Sequence, residues 1–316
     1  MKYYQLSNTH YRVSAIGMGC MRIANKSVEE VEELIDTALD CGINFFDHAD
    51  IYGGGKSEEV FGEVLAKRPE LRDKMIIQSK CGIVPGKRYD FSKDYIINAV
   101  NGTLDRLQTD HLDLLLLHRP DALCDYEEVA DAFNTLNKEG KVCQFGVSNH
   151  TAGQVRLLQM YANQSIVANQ LQFSIVHSGM VDSGLHMNMT EDLAVDKDGG
   201  VLDFCRFNEI MIQAWSPLQA SWSEGTFIDN PHYPQLNEEL AKLSEKYHVT
   251  KAAIAVAWIL RHPAHMQVIS GTASPIHLRE MCEATNIQLT RQEWYDLSSK
   301  REDITIVILN IKENST

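Results

Sequence analysis

No run in this chain approaches the ~18 consecutive apolar residues that a membrane-spanning helix requires. The opening Met1-Lys2-Tyr3-Tyr4-Gln5-Leu6-Ser7-Asn8 is too polar for a secretory signal. Basic charge is scarce as well. Lysine and arginine number 29 against 43 aspartates and glutamates, a formal net charge of −14 over 316 residues. A nucleic-acid binder would want a basic face that this composition does not favour, and any anionic ligand must be held by a local positive site against the average field. Cys-x-x-Cys pairs are absent: the seven cysteines (20, 41, 81, 124, 143, 205, 282) are odd in number and scattered. That pattern argues for reduced thiols in a cytoplasmic protein and against a disulfide framework or a zinc site. The Gly-x-Gly-x-x-Gly signature of an open dinucleotide-binding sheet is also incomplete, because the first strand runs into Gly17-Met18-Gly19-Cys20-Met21-Arg22.

What the chain does contain is alternation. Short apolar, β-branched runs fall near Val13–Gly17, Ile43–Phe46, Met75–Ser79, Leu112–Leu117, Cys143–Val147, Ile166–Gln172, Ile210–Trp215 and Gln267–Ser270. Between them lie segments of helical periodicity. Ser27-Val28-Glu29-Glu30 reads as a capping box, followed by Val28, Val31, Leu34, Ile35, Ala38 and Leu39 on one face and Gly42 as the stop. Ser57, Ser92 and Thr151 begin further helices. Val129, Phe133 and Leu136 mark another, Val201–Phe207 is short, and a seventh region around Leu236–Leu243 resumes through Ala252–Leu260. His277–Ala284 and Arg291–Ser299 close the series. Strands alternating with helices at this pitch imply parallel pairing through crossover helices. The expected fold is therefore α/β: a closed (β/α)8 TIM barrel forming one domain over residues 1–316. Two long connections, 174–200 and the aromatic-rich 219–234, are candidates to shape a pocket at the mouth.

In such a barrel the C-terminal ends of all strands face one mouth. Asp47, Lys80, His118, Ser148 with Asn149, Gln170, Ser216 and Gly271 stand at those ends, and Tyr52 follows Asp47 before a glycine run, Gly53-Gly54-Gly55. Each has a bland reading as a turn cap, a solvated cation or a hydrogen-bonded core histidine, but the set is far less easily explained that way. A free tyrosine loses its proton near pH 10, too high for an efficient acid at neutrality. A neighbouring ammonium favours the phenolate and should lower that value, and Asp47 should keep Lys80 charged. His118 can donate to the carbonyl oxygen that Tyr52 protonates, which is general acid catalysis with stabilisation of a developing alkoxide. Carbonyl reduction also needs a hydride donor. Ser148, Asn149 and Gln170 are residue types able to hold a nicotinamide carboxamide, Trp215 could stack on its ring, and the Gly271–Pro275 segment opens a helix whose free amides attract phosphate.

These motifs, Asp47-x4-Tyr52, Lys80, Leu117-His118-Arg119-Pro120, Gly146-Val147-Ser148-Asn149, Asn169-Gln170, Trp215-Ser216-Pro217-Leu218 and Gly271-Thr272, resemble the aldo-keto reductase family from one end of the chain to the other. The resemblance is nearest to a group of bacterial oxidoreductases. It implies a single (β/α)8 barrel and NADPH-dependent, metal-free reduction of aldehydes or ketones. It implies a catalytic tetrad of Asp47, Tyr52, Lys80 and His118, with Tyr52 the proton donor. It further implies carboxamide contacts from Ser148, Asn149 and Gln170, stacking by Trp215, pyrophosphate contacts from Ser216 and Leu218, and contacts near the adenosine phosphate from Thr272 and Ser274. Met21, Arg22 and Gly271 join the expected cofactor contacts.

Where many relatives place an arginine on the ribose 2′-phosphate, this chain has His277, a weaker grip on a dianion than a guanidinium fork. NADP is therefore expected, with NAD not excluded. The expected partner is a small carbonyl substrate, with no nucleic acid, no membrane and a monomer or weak homo-oligomer. Two rival readings are a cofactor-binding regulatory subunit of the same fold with little turnover, and a metal-dependent barrel isomerase or hydrolase. The second fits poorly, because the rim supplies too few spaced ligands for a metal.

Overall fold

The computed structural model describes residues 1–190 and 192–301. Eight parallel strands close into a barrel: β1 (Ile16–Gly19), β2 (Phe45–Asp47), β3 (Ile76–Cys81), β4 (Leu112–Leu117), β5 (Val142–Ser148), β6 (Ile166–Gln172), β7 (Met211–Trp215) and β8 (Gln267–Ser270). Each strand pairs with its sequence neighbours, and β8 returns to β1 through Val268 opposite Ile16. The domain expected to run to residue 316 lies, beyond Arg301, outside the described residues. Among the described residues, no helix is long and apolar enough to cross a membrane.

Among the described residues eleven α-helices accompany the strands: α1 (Val28–Asp40), α2 (Lys56–Lys67), α3 (Lys93–Leu107), α4 (Tyr126–Lys138), α5 (Ala152–Tyr161), α6 (Gly179–Leu185), α7 (Val201–Phe207), α8 (Pro234–Tyr247), α9 (Lys251–Arg261), α10 (Pro275–Cys282) and α11 (Arg291–Ser299). The capping box read at α1 is present: Ser27 accepts from the Glu30 amide and Glu30 returns a bond to the Ser27 amide. Such a cap stabilises a helix by about 1 kcal/mol. The apolar stripe behind it, Val31, Leu34, Ile35 and Ala38, is buried in the outer core between helices and sheet.

Strand parity divides the barrel into an inside and an outside. On β4, Leu115 and Leu117 face the helices, while Leu114 and Leu116 fill the interior with Phe45, Ile76, Val167, Ala168, Met211 and Ile269. Leu6 and Val13 join this interior cluster. They come from an antiparallel hairpin, Tyr3–Gln5 with Arg12–Ser14, packed beneath the barrel. The first strand expected at Val13–Gly17 is thereby corrected. The chain leaves the hairpin at Ser14 and enters the barrel at Ile16, and Val13 belongs to the plug that keeps water from the interior. An apolar run marks both elements equally, so its composition does not reveal the break.

The long connections also differ from simple loops. Residues 174–200 carry α6. Residues 219–234 fold back as a hairpin, Gln219–Ser221 with Gly225–Thr226. Of the aromatics in that second segment, Phe227 is wholly buried in the outer core and Tyr233 packs against it, whereas Trp222 is 75% exposed. The hint of an aromatic-lined pocket thus shrinks to one side chain.

Candidate active site

The interior is apolar at its floor and polar towards the C-terminal mouth. Along β3 the inward positions run Ile76, Gln78, Lys80, and along β2 they run Phe45 and Asp47. Lys80 Nζ donates to Asp47 Oδ1 at 2.6 Å, to the His48 carbonyl at 2.8 Å and to the Tyr52 hydroxyl at 3.1 Å. All three protons of the ammonium therefore have acceptors. This matters because Lys80 is 1% and Asp47 2% exposed, and a buried ion pair persists only when its remaining hydrogen-bonding capacity is met.

Tyr52 reaches the pair from a turn that only glycine can make. Gly53, Gly54 and Gly55 follow it with φ of 59°, 68° and 95°, in the left-handed region where a Cβ is costly. A Cβ on Gly53 would also stand 2.4 Å from the Ala24 side chain. The glycine run is thus the hinge that swings the phenol back over β2 and β3. His118, first residue after β4, meets the Tyr52 ring edge-on with centroids 6.0 Å apart. The structure brings Asp47, Tyr52, Lys80 and His118 together.

Electrostatics correct one expectation. Burial pushes the Tyr52 phenol up, and the nearby Lys80 ammonium, which pulls it down as anticipated, does not outweigh burial and Asp47. Its net position is above the usual tyrosine value. Burial likewise pulls Lys80 down, but Asp47 and Tyr52 more than compensate, so the ammonium is held charged above its ordinary range. His118 is driven to about 3 by burial first, then by Lys80 and Arg119, so the ring is neutral at pH 7. Its Nδ1 is buried without an acceptor. A buried N–H with nothing to bond is costly, which places the proton on Nε2.

The expected cofactor residues form a second cluster at the same mouth. Ser148 Oγ donates to the Gln170 carbonyl at 2.9 Å. Asn149, held at φ 60°, donates to Ser148 Oγ at 2.8 Å and to the His118 carbonyl at 3.2 Å. The Trp215 indole donates to Asn149 Oδ1 at 3.2 Å, and the Arg119 guanidinium lies 5.8 Å from the Trp215 ring centroid. Gln170 ties this cluster to the acid: its amide nitrogen donates to Asp47 Oδ1 at 3.0 Å and to Gln213 Oε1 at 3.1 Å.

Around β7 and β8, Ser216 has φ 53° and donates to Gln219 Oε1 at 2.6 Å, and Leu218 is half-buried against the outer core. Gly271 is exposed, with open space where a Cβ would stand. The amides expected to be free before α10 are partly engaged: Thr272 Oγ1 accepts from the Ser274 amide at 3.1 Å, and Ser274 caps α10 by accepting from His277 at 3.4 Å. His277 is exposed on the first turn of α10, and Met21 and Arg22 are exposed in the turn after β1. Reading the residues one at a time missed Gln78, Gln213 and Gln267. Each is a lone amide inside an apolar run, and only strand parity would have shown that they point inward.

The sequence profile of the Aldo/keto reductase family matches residues 15–302. The chain belongs to the aldo-keto reductase family. It is 37% identical over 288 residues to Oxidoreductase YdhF of Escherichia coli (strain K12), covering 88% of this chain and 90% of that protein. It is 34% identical over 297 residues to the 6-dehydroglucose reductase of Agrobacterium fabrum, covering 90% of this chain and 93% of that protein. The crystal structure of the thermostable aldo-keto reductase Tm1743 superposes with a TM-score of 0.74 at 27% identity, over 95% of this chain and 99% of that one. As an aldo-keto reductase, this barrel is an NAD(P)H-dependent oxidoreductase. The mouth suits a nicotinamide cofactor on its own chemistry: a hydroxyl, a carboxamide side chain and an indole are linked in one cluster beside the buried acid–ammonium–phenol chain. Among the described residues, no group of three or more His, Cys, Asp and Glu side chains is arranged to hold a metal ion.

Proposed function

We propose that this aldo-keto reductase reduces an aldehyde or ketone to an alcohol, with Tyr52 giving the proton to the carbonyl oxygen. The observation that carries the reading is the hydrogen bond from a fully buried, Asp47-paired Lys80 to the Tyr52 hydroxyl. That bond leaves the phenolic proton free to point away from the lysine, towards a bound carbonyl. As the proton departs, the adjacent ammonium stabilises the phenolate, in a site from which water is excluded and where the interaction is stronger than in solution. The uncharged His118 donates from Nε2 to the same oxygen and fixes its direction. Neutrality suits this role: an uncharged ring can donate its one N–H to the carbonyl oxygen without placing a second buried cation beside Lys80.

Ser148, Asn149 and Gln170 are the residues proposed to hold the carboxamide of a nicotinamide, Trp215 to stack on its ring, and Ser216, Leu218, Gly271, Thr272, Ser274, His277, Met21 and Arg22 to line the rest of the dinucleotide. When bound, the reduced cofactor supplies the hydride. NADPH is the proposed form, held near its 2′-phosphate by His277 without a guanidinium. The domain is proposed to extend over the whole chain, and the protein to act in the cytoplasm on a small carbonyl, as a monomer or weak homo-oligomer. The test is oxidation of NADPH and NADH over a panel of aliphatic, aromatic and sugar-derived carbonyls. Turnover on part of the panel that chelators leave intact supports the reading, and stoichiometric cofactor binding without turnover overturns it.

A further inference from the structure

The interior of the barrel contains polar groups beyond those the proposed chemistry uses directly. Gln170, Gln213 and Gln267 lie on adjacent strands β6, β7 and β8 and are in register, Gln170 opposite Gln213 and Gln213 opposite Gln267. Their amides form a one-way chain: Gln170 donates to Gln213 at 3.1 Å, Gln213 to Gln267 at 3.0 Å, and Gln267 to the Ser14 carbonyl at 2.8 Å. On the other side, Gln78 is in register with Asp47 and donates to its Oδ1 at 2.5 Å. Gln78, Gln213 and Gln267 are wholly buried, and the Gln78 Oε1 has no partner.

A carboxylate can only accept hydrogen bonds, so Asp47 dictates how these amides are turned. Its Oδ1 takes Lys80, Gln78 and Gln170 together. Gln170 keeps its nitrogen on Asp47 because Gln213 offers the same nitrogen a second acceptor, and Gln213 is itself oriented by Gln267. The chain ends on the backbone where the floor hairpin meets the barrel. The titratable groups facing Asp47 are Lys80 on β3, Tyr52 from the turn after β2 and Cys20 after β1, while β6, β7 and β8 present neutral amides to it. Two buried amide donors thus share the carboxylate with the ammonium. They spread its charge and fix its position relative to the lysine that touches the phenol.

The geometry points to Gln78 and Gln213 as positioning residues that fix Asp47, directly and through Gln170, so that Lys80 stays charged and aimed at Tyr52. This rests on Tyr52 being the proton donor. It assigns work to two residues that touch neither substrate nor cofactor. Without them the carboxylate loses amide donors that fix it, and the lysine has freedom to leave the phenol.

The experiment is a pH profile of single-turnover carbonyl reduction for Gln78→Leu and Gln213→Leu, alongside cofactor binding by fluorescence titration. Leucine is close to glutamine in volume, and Gln78→Met serves if a leucine variant does not fold. The expected result is a rate about tenfold lower, cofactor dissociation constants unchanged within about twofold, and an alkaline limb moved upward, because a phenol released from the Lys80 ammonium loses the cation that pulls it down. A lowered melting temperature with an unmoved alkaline limb would mean the amides serve the fold alone, and would overturn the inference. Tyr52→Phe separates the two levels. If it abolishes reduction while both glutamine variants keep the wild-type profile, only the positioning role fails. If it retains wild-type rates, the proton-donor reading fails and this inference with it.

Discussion

Removing one oxygen from Tyr52 puts the proposed chemistry at risk while leaving the site almost undisturbed. In Tyr52→Phe, Lys80 loses its longest bond, 3.1 Å, and keeps Asp47 at 2.6 Å and the His48 carbonyl at 2.8 Å. The ammonium stays paired, so the cost in stability is that of one partly replaced hydrogen bond, about 1 kcal/mol. The ring keeps its edge-on contact with His118 and the glycine turn is untouched. Loss of a positioned general acid lowers rate by about 10²–10⁴-fold, or roughly 3–5 kcal/mol of transition-state stabilisation. The two costs differ enough to be told apart. Single-turnover consumption of NADPH with a good carbonyl substrate should fall by that factor, while fluorescence titration returns the wild-type cofactor affinity and denaturant unfolding shifts only slightly. Wild-type turnover in the variant refutes the argument. So would a cofactor affinity weakened more than about tenfold with the rate at saturation intact, since the hydroxyl would then act on the dinucleotide.

Lys80→Met should also lose turnover, and with a different stability signature. It strands Asp47 in the interior with only amide donors, so chemical denaturation should show a loss of about 3–5 kcal/mol, and a variant as stable as wild type would mean the ion pair does not hold the mouth together. His277→Arg should tighten NADPH relative to NADH by about tenfold in binding titrations, since a guanidinium forks onto a phosphate, and an unchanged ratio would place His277 away from it. Acid stability gives a prediction free of catalysis. His48 and His118 are held at about 3 and His150 at about 4, all by burial first, so each stays neutral in the fold while its unfolded counterpart charges below about 6.5. Asp50, raised to about 7 by burial and then by Glu58, has the opposite sign, and cancels one of the three over the same window. His262, part-buried and lowered to about 4 by burial first, adds a smaller share, so net proton uptake on unfolding should make stability fall by roughly 3 kcal/mol per pH unit as pH drops from about 6.5 to 4. A flat urea midpoint across that range would contradict neutral burial of these histidines.

The fold was readable because strands buried on both faces must be apolar throughout, and helices between them must be amphipathic. Both patterns survive in a single sequence, as does the Ser27 capping box. Val13 was assigned to the wrong element because a plug that seals a barrel floor needs the same residue types as the barrel itself. The glycines after Tyr52 were legible as a turn, though not as the swing that returns the phenol to Lys80. Neither the direction of the Tyr52 shift nor the neutrality of His118 could be read, because each depends on how much water the finished site excludes. Phe227 misled for a related reason: an aromatic in a long connection can as readily anchor the loop to the outer core as line a pocket.

Parity explains why the acid–base groups and the glutamines were visible to such different degrees. Asp47, Lys80 and His118 close their apolar runs, so a change of residue type flags them, whereas Gln78, Gln213 and Gln267 sit one or more layers lower, inside the runs. The side-chain period of a strand is two, so Gln78 must share a face with Lys80, and Gln213 with Met211 below it. A one-residue slip of β3 would send Lys80 to the helices and bring Ser79 and Cys81 inside, leaving Asp47 with no cation. The floor cluster resists that slip, because the same displacement would pull Ile76 away from Phe45 and Leu114. The apolar half of the interior therefore sets the register that the polar half needs, and the ion pair at the mouth is only as well placed as the hydrocarbon beneath it.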